Sequence, residues 1–147
     1  MILDKDFVYP DSNWIYGPSE GAEAKVEFIK GVAKFNIIKV GSAEWHVQLK
    51  TKNYLKIEKD KNYTVKFKAK SDVKRNIQLL IEQNGGSWTK YGEQEITLSK
   101  EMKNYSFEFT MENDTDQKAE LVFLLGNIGN SNTIGNHTVE ISDIYLQ

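Results

Sequence analysis

The 147-residue chain has no cysteine. Disulfides, thiolate metal ligands and a cysteine nucleophile are therefore excluded together. Prolines number two and histidines two. Two histidines and no Gly-x-Ser-x-Gly elbow leave little material for a Ser/His/Asp triad; His46 and His137 are lone histidines, expected at the surface. The 19 Lys and Arg against 21 Asp and Glu give a net charge of −2, without the basic excess of a nucleic-acid binder. No run approaches the roughly 20 apolar residues of a membrane span. The start, Met-Ile-Leu-Asp-Lys-Asp, lacks the apolar core of a signal peptide. A domain covering 1–147 is expected, either cytoplasmic or cut from a larger precursor. Gln83-Asn84-Gly85-Gly86 is no phosphate loop, because the Lys-Ser/Thr that should follow is missing.

Flat side chains are what the chain does have. Only 39% of its residues are apolar, yet 12% are aromatic: 7 Phe, 7 Tyr and 3 Trp. The dominant period is two. Short alternating or apolar runs cover residues 24–29, 32–40, 45–49, 63–69, 76–83, 95–98, 105–111, 120–125 and 138–146. Turn residues separate them, including Gly17-Pro18-Ser19, Asn84-Gly85-Gly86-Ser87 and the Gly- and Asn-rich stretch 126–136. About nine short strands without an amphipathic helix predict an all-β chain, an antiparallel sandwich or barrel.

Parity divides the strands into faces. Val47 and Leu49, then Ile77, Leu79 and Ile81, then Leu121, Phe123 and Leu125 suit a core. His46, Gln48 and Lys50, then Gln78, Leu80, Glu82 and Asn84, then Glu120, Val122 and Leu124 fall on the other side. If these strands share one sheet, its outer face mixes amides and carboxylates with aliphatic groups, a combination suited to hydroxyl-bearing ligands. Trp45 shares the core parity of Val47. Tyr16, Trp88 and Tyr91 sit by loops, where a ring can cover the C–H face of a sugar. Tyr63, Phe67, Tyr105, Phe107, Phe109, Phe123 and Trp14 are expected in the core.

The ordered set of Phe7, Trp14, Gly41-Ser42-Ala43-Glu44-Trp45-His46-Val47-Gln48-Leu49, Leu55 and Tyr63-Thr64-Val65-Lys66-Phe67-Lys68-Ala69-Lys70 carries a resemblance. It continues through Gln83-Asn84-Gly85-Gly86, Leu98, Tyr105-Ser106-Phe107-Glu108-Phe109-Thr110, Leu121-Val122-Phe123-Leu124-Leu125-Gly126 and Val139-Glu140-Ile141-Ser142-Asp143-Ile144-Tyr145-Leu146. Over almost the whole chain this resembles the carbohydrate-binding modules of families 4 and 9, with relatives in families 16 and 22.

The resemblance implies a β-jelly-roll of two antiparallel sheets, one bearing a groove for a single soluble β-glycan chain. It implies a non-catalytic monomer fused to a secreted bacterial glycoside hydrolase and targeting it to polysaccharide, with no nucleic-acid or membrane partner. Tyr16 and Trp88 match two tyrosines that flank the groove in β-glucan-binding members. Lys52, Gln78, Gln83, Asn84, Glu120 and Leu124 match its polar contacts, although Lys52, Gln78, Glu120 and Leu124 depart from the Asn, Arg, Gln and Gln of that pattern. With Trp45, Gln48, Lys50, Leu80, Glu82 and Tyr91 they form the candidate ligand set. Glu82 and Glu120 keep xylan or mannan open as ligands, and admit a glycan-cleaving enzyme with two carboxylates. A protein-adhesion sandwich is the third reading. The resemblance also implies a structural calcium site at Asp6, Gly31 and Asp143, oxygen donors of the kind calcium takes.

Overall fold

In a computed structural model of the protein, residues 2, 4–129 and 131–147 are described. A four-residue helix, Pro10–Asn13, leads into strand β1 (Trp14–Pro18). There follow β2 (Glu23–Ile29), β3 (Val32–Lys39), β4 (Val47–Thr51), β5 (Leu55–Ile57), β6 (Asn62–Ser71), β7 (Arg75–Gln83), β8 (Lys90–Leu98), β9 (Lys103–Thr110), β10 (Asp116–Leu124) and β11 (His137–Leu146). Glu44–His46 and Ser131–Thr133 form single 3₁₀ turns.

Among the described residues the strands make two antiparallel sheets, a jelly-roll sandwich. One has the order β1-β4-β10-β7-β8, with β5 also paired to β10; the other runs β2-β3-β11-β6-β9. The inner faces are apolar at every second position, as the period requires. Leu49, Ile77, Leu79, Ile81, Leu121 and Phe123 of the first sheet are fully buried against Phe35, Val65, Phe67, Ala69 and Ile141 of the second. Phe67 and Phe123 meet edge-on at 5.0 Å and join the layers. Each of these side chains other than Ala69 contributes roughly 1.5–3 kcal/mol of transfer free energy. Gly92 faces this core, and a Cβ there would lie 2.7 Å from the Phe109 ring, so the inter-sheet gap admits only glycine.

Eleven strands occur among the described residues where nine runs are legible. β1 and β5 are the additions, and β8 begins at Lys90 rather than near Glu95. β1 carries Gly17-Pro18 and β5 is three residues long, so neither shows a period. Residues 100–101 form a bend before β9. The 126–136 connection, of which Asn130 lies outside the described residues, folds Ile128 onto Leu80, Val122 and Leu124. One end of the first sheet's outer face is thereby covered.

Candidate functional site

β4, β10 and β7 are adjacent, and their register aligns the outward side chains into rows. Gln48 faces Leu124, which faces Gln78; Lys50 faces Val122, which faces Leu80; Glu120 faces Glu82, which faces Lys90 on β8. Above these rows runs a groove of about 670 Å³ lined by Glu44, Trp45, Gln48, Lys50, Gln78, Leu80, Glu82, Trp88, Lys90, Glu120 and Leu124. That volume is within the range of small-molecule sites. A second depression of about 270 Å³, sharing Gln78 and Leu80 and adding Glu93, Gln94 and Glu95, continues across β8.

Two tryptophans form its walls. Trp45 is 48% exposed and Trp88 50%. Trp45 belongs to the 3₁₀ turn, so strand parity does not apply to it and its ring reaches the groove instead of the core. Trp88 follows the Gly85-Gly86 turn with φ of +54°. That is an uncommon conformation for a bulky side chain, and such strain is concentrated at functional sites. Lys50 Nζ stands 5.7 Å from the centre of the Trp88 ring.

The floor holds a charged cluster. Lys50 Nζ lies 3.3 Å from Glu120 Oε1 in an ion pair whose side chains are 15% and 2% exposed. Among the described residues no hydrogen bond reaches that oxygen, so the contact is electrostatic. Glu82 and Glu120 face each other on neighbouring strands, and both are buried. Burial, and then Glu120, push the Glu82 carboxyl up to about 8, against the opposing pull of Lys50 and Lys90.

Other expected contacts lie elsewhere. Tyr16 faces Leu49 in the β1–β4 register and therefore points inward; its ring packs edge-on against Phe28 at 4.7 Å and its hydroxyl donates to Asp11. Burial and that bond raise its pKa, the hydrogen bond contributing most. On β1 it is Ile15 that sits alongside Lys50 on the groove side. Tyr91 is the bulged residue of β8, packs against the core and donates to Asp116 Oδ2 at 2.8 Å; burial, then Asp116, push its hydroxyl up to about 12. Lys52 reaches the Asp11 carbonyl at 3.0 Å. Gln83 accepts from Ser87 Oγ at 2.9 Å and braces the turn below Trp88, while Asn84 is exposed in that turn. None of these five lines the groove.

Glu44, Lys90 and Ile15 are groove-side residues that sequence reasoning missed. The signal for Lys90 was its parity with Glu82's partner strand, hidden by the late start assigned to β8. Both histidines are buried rather than superficial, His46 at 6% and His137 at 4% exposure.

At one end of the second sheet, Gly31 and Asp143 come together because Val32 pairs with Ser142. The Asp6 carbonyl and Oδ1 each lie 3.9 Å from where a Gly31 Cβ would stand. Asp143 Oδ2 is 3.4 Å from Lys68 Nζ. Among the described residues no three His, Cys, Asp or Glu side chains form a metal-holding group. The oxygens beside Gly31 are the Asp6 carbonyl and carboxylate, hard donors of the kind calcium takes, while the Asp143 carboxylate faces the Lys68 ammonium.

An aromatic-walled groove with a polar floor on the outer face of one sheet of a jelly-roll defines a ligand-binding β-sandwich module. A family model described as a carbohydrate binding domain, that of carbohydrate-binding module families 4 and 9, matches residues 1–133, and the chain belongs to this family. A solved family 4 module, "CBM4 structure and function", is 26% identical with a TM-score of 0.80, covering 99% of this chain and 92% of that one. The N-terminal cellulose-binding domain of Cellulomonas fimi β-1,4-glucanase C is 20% identical with a TM-score of 0.68, over 91% and 87%. A family 29 module, CBM29-2, shares the fold at 12% identity and a TM-score of 0.55, over 91% and 83%. No curated protein sequence matches the chain.

Proposed function

We propose that the groove binds a single chain of a soluble β-linked glycan without cleaving it, and that β-glucans such as cello-oligosaccharide, laminarin or mixed-linkage glucan are the preferred ligands. The observation that carries this is the pair of half-exposed tryptophans, Trp45 and Trp88, lining one groove over rows of Gln48, Gln78, Lys50, Glu82 and Glu120. Rings bury the apolar faces of sugar residues, and fixed amides and carboxyls exchange hydrogen bonds with hydroxyls. Strand-borne groups are already ordered, so little entropy is lost on binding. The likeness to a Cellulomonas fimi cellulose-binding domain supports the glucan preference.

A binding role fits the carboxylates better than hydrolysis does. Glycosidase carboxyls stand about 5–5.5 Å apart for retention, or further for inversion. Glu82 is 8% and Glu120 1% exposed, so neither carboxyl stands clear of the floor to flank a glycosidic bond. In this reading the module serves an extracellular glycoside hydrolase by holding it on polysaccharide, and calcium bound at Asp6, Gly31 and Asp143 ties the N-terminal segment to the second sheet.

Affinity electrophoresis in gels containing hydroxyethylcellulose, laminarin, lichenan, xylan or glucomannan tests the function. Retardation by the first three is expected. Retardation only by xylan or glucomannan would move the ligand to the alternative class, and migration unaffected by any of them would overturn the reading.

A further inference from the structure

The Trp45 wall of the groove is held by two buried imidazoles. His46 Nδ1 lies 3.0 Å from the Ser42 amide nitrogen and 3.2 Å from that of Ala43. Both amides donate, so this nitrogen carries no proton. The ring is closely confined: a Cβ on Gly41 would stand 2.6 Å from His46 Cβ. The Trp45 ring meets the His46 ring edge-on at 4.4 Å.

The second imidazole acts through a longer route. His137 Nδ1 faces the Gly135 carbonyl at 2.9 Å, and a carbonyl only accepts, so Nδ1 bears the proton. Nε2 is then the acceptor for Arg75 Nη1, 3.0 Å away. Arg75 Nη2 donates to the Gly126 carbonyl at 2.8 Å. The Gly126 amide in turn donates to the Glu44 carbonyl at 2.9 Å, and the Asn127 amide to that of Ala43 at 3.1 Å. Residues 43–46, including Trp45, are thus fixed from one side by His46 and from the other by the His137–Arg75–Gly126 chain.

We propose that His46 and His137 are positioning residues for Trp45 and that protonation of His137 releases the Trp45 wall, making glycan binding acid-sensitive; this rests on the groove being the glycan site. A protonated Nε2 on His137 would oppose an arginine that has no carboxylate partner of its own among the described residues. The charged groups bearing on His137 are Arg75 from β7, which disfavours the added proton, and Asp72 from the β6–β7 turn, which favours it. Burial is the largest influence and holds the imidazole below its ordinary value. On His46's own turn the charged neighbour is Glu44.

The test uses the whole chain between about pH 7 and pH 5, a range in which Glu82 keeps its proton because its carboxyl is pushed up to about 8. Calorimetric titrations with cellohexaose, laminarihexaose, xylohexaose and mannohexaose are paired with ligand-free acrylamide quenching of tryptophan emission, referenced to Trp45→Phe. Affinity for the bound hexaose should fall about tenfold or more as the competent fraction drops. Quenching of Trp45 should rise with the same midpoint. In the double variant His46→Asn, His137→Gln an amide oxygen replaces each imidazole acceptor at every pH, and both profiles should become flat. A loss that persists in the folded double variant, or a wild-type midpoint in the carboxylate range, would overturn the proposal. Should the double variant not fold, the His137 imidazole midpoint of the wild type by NMR decides, since it must coincide with the quenching midpoint. Absence of hexaose binding at pH 7 defeats the glycan reading instead, while the quenching profile still decides the positioning role.

Discussion

Glu82 and Glu120 face each other across β7 and β10 beneath Lys50, and the buried Glu82 carboxyl holds its proton up to about pH 8. The folded chain binds that proton more tightly than the unfolded chain, because the Glu82 value rises from 4.5 to about 8. The pair's contribution to stability is therefore complete below about pH 4.5 and is lost as the pH rises through about 8. Urea unfolding should give lower stability at pH 9 than at pH 6, and Glu82→Gln should narrow the difference. An equal loss in Glu82→Gln would place the alkaline sensitivity elsewhere. Glu120→Ala should cost on the order of 3 kcal/mol, because it strands the poorly exposed Lys50 ammonium without its counter-charge.

The tryptophans and Tyr16 should separate cleanly. Trp45→Ala and Trp88→Ala should each weaken glycan binding by roughly 1–3 kcal/mol, the value of the lost apolar burial, with little change in melting temperature. Tyr16→Ala should do the reverse, since its ring packs on Phe28 and on the core, at a cost of about 2 kcal/mol in stability. Calorimetric titration and thermal melts on the three variants distinguish the outcomes.

This contrast shows what the sequence made legible. Inward and outward positions of β4, β7 and β10 follow from period-two alternation, and with them most of the groove floor. Tyr16 was misplaced because Trp14–Pro18 carries no readable period, so nothing indicated that its partner is the inward Leu49. Trp45 escaped parity because a 3₁₀ turn interrupts the strand. His137 read as a surface residue because its partner, Arg75, is 62 residues away along the chain and the pair exists only in the folded sheets.

Calcium should raise the melting temperature if Asp6, the Gly31 region and Asp143 hold it. At a hundredfold excess over Kd the gain is about 2.7 kcal/mol, or about 5–10 °C for a chain of this size. Asp143→Asn should abolish the shift, and it also removes the exposed ion pair to Lys68, which is worth little. A melting temperature identical in calcium and in chelator would exclude a structural ion.

Gly126→Ala tests the joint between the sandwich and the Trp45 wall. A Cβ at this position would lie 2.5 Å from the Glu44 carbonyl oxygen and closer still to that of Ala43. Both atoms are backbone, and both carbonyls already accept hydrogen bonds from the Gly126 and Asn127 amides. The 43–46 turn must therefore move outward. Overpacking of this kind costs about 1–3 kcal/mol of stability. Leu125 still donates to Val47 at 2.7 Å just before the joint, so β4 and its Gln48 and Lys50 should remain in place. The expected result is a protein that keeps its β-sheet circular dichroism and the Trp88 end of the groove, melts earlier, and binds glycan more weakly than its lowered stability accounts for. Unchanged affinity in the folded variant would show that the Trp45 wall is dispensable.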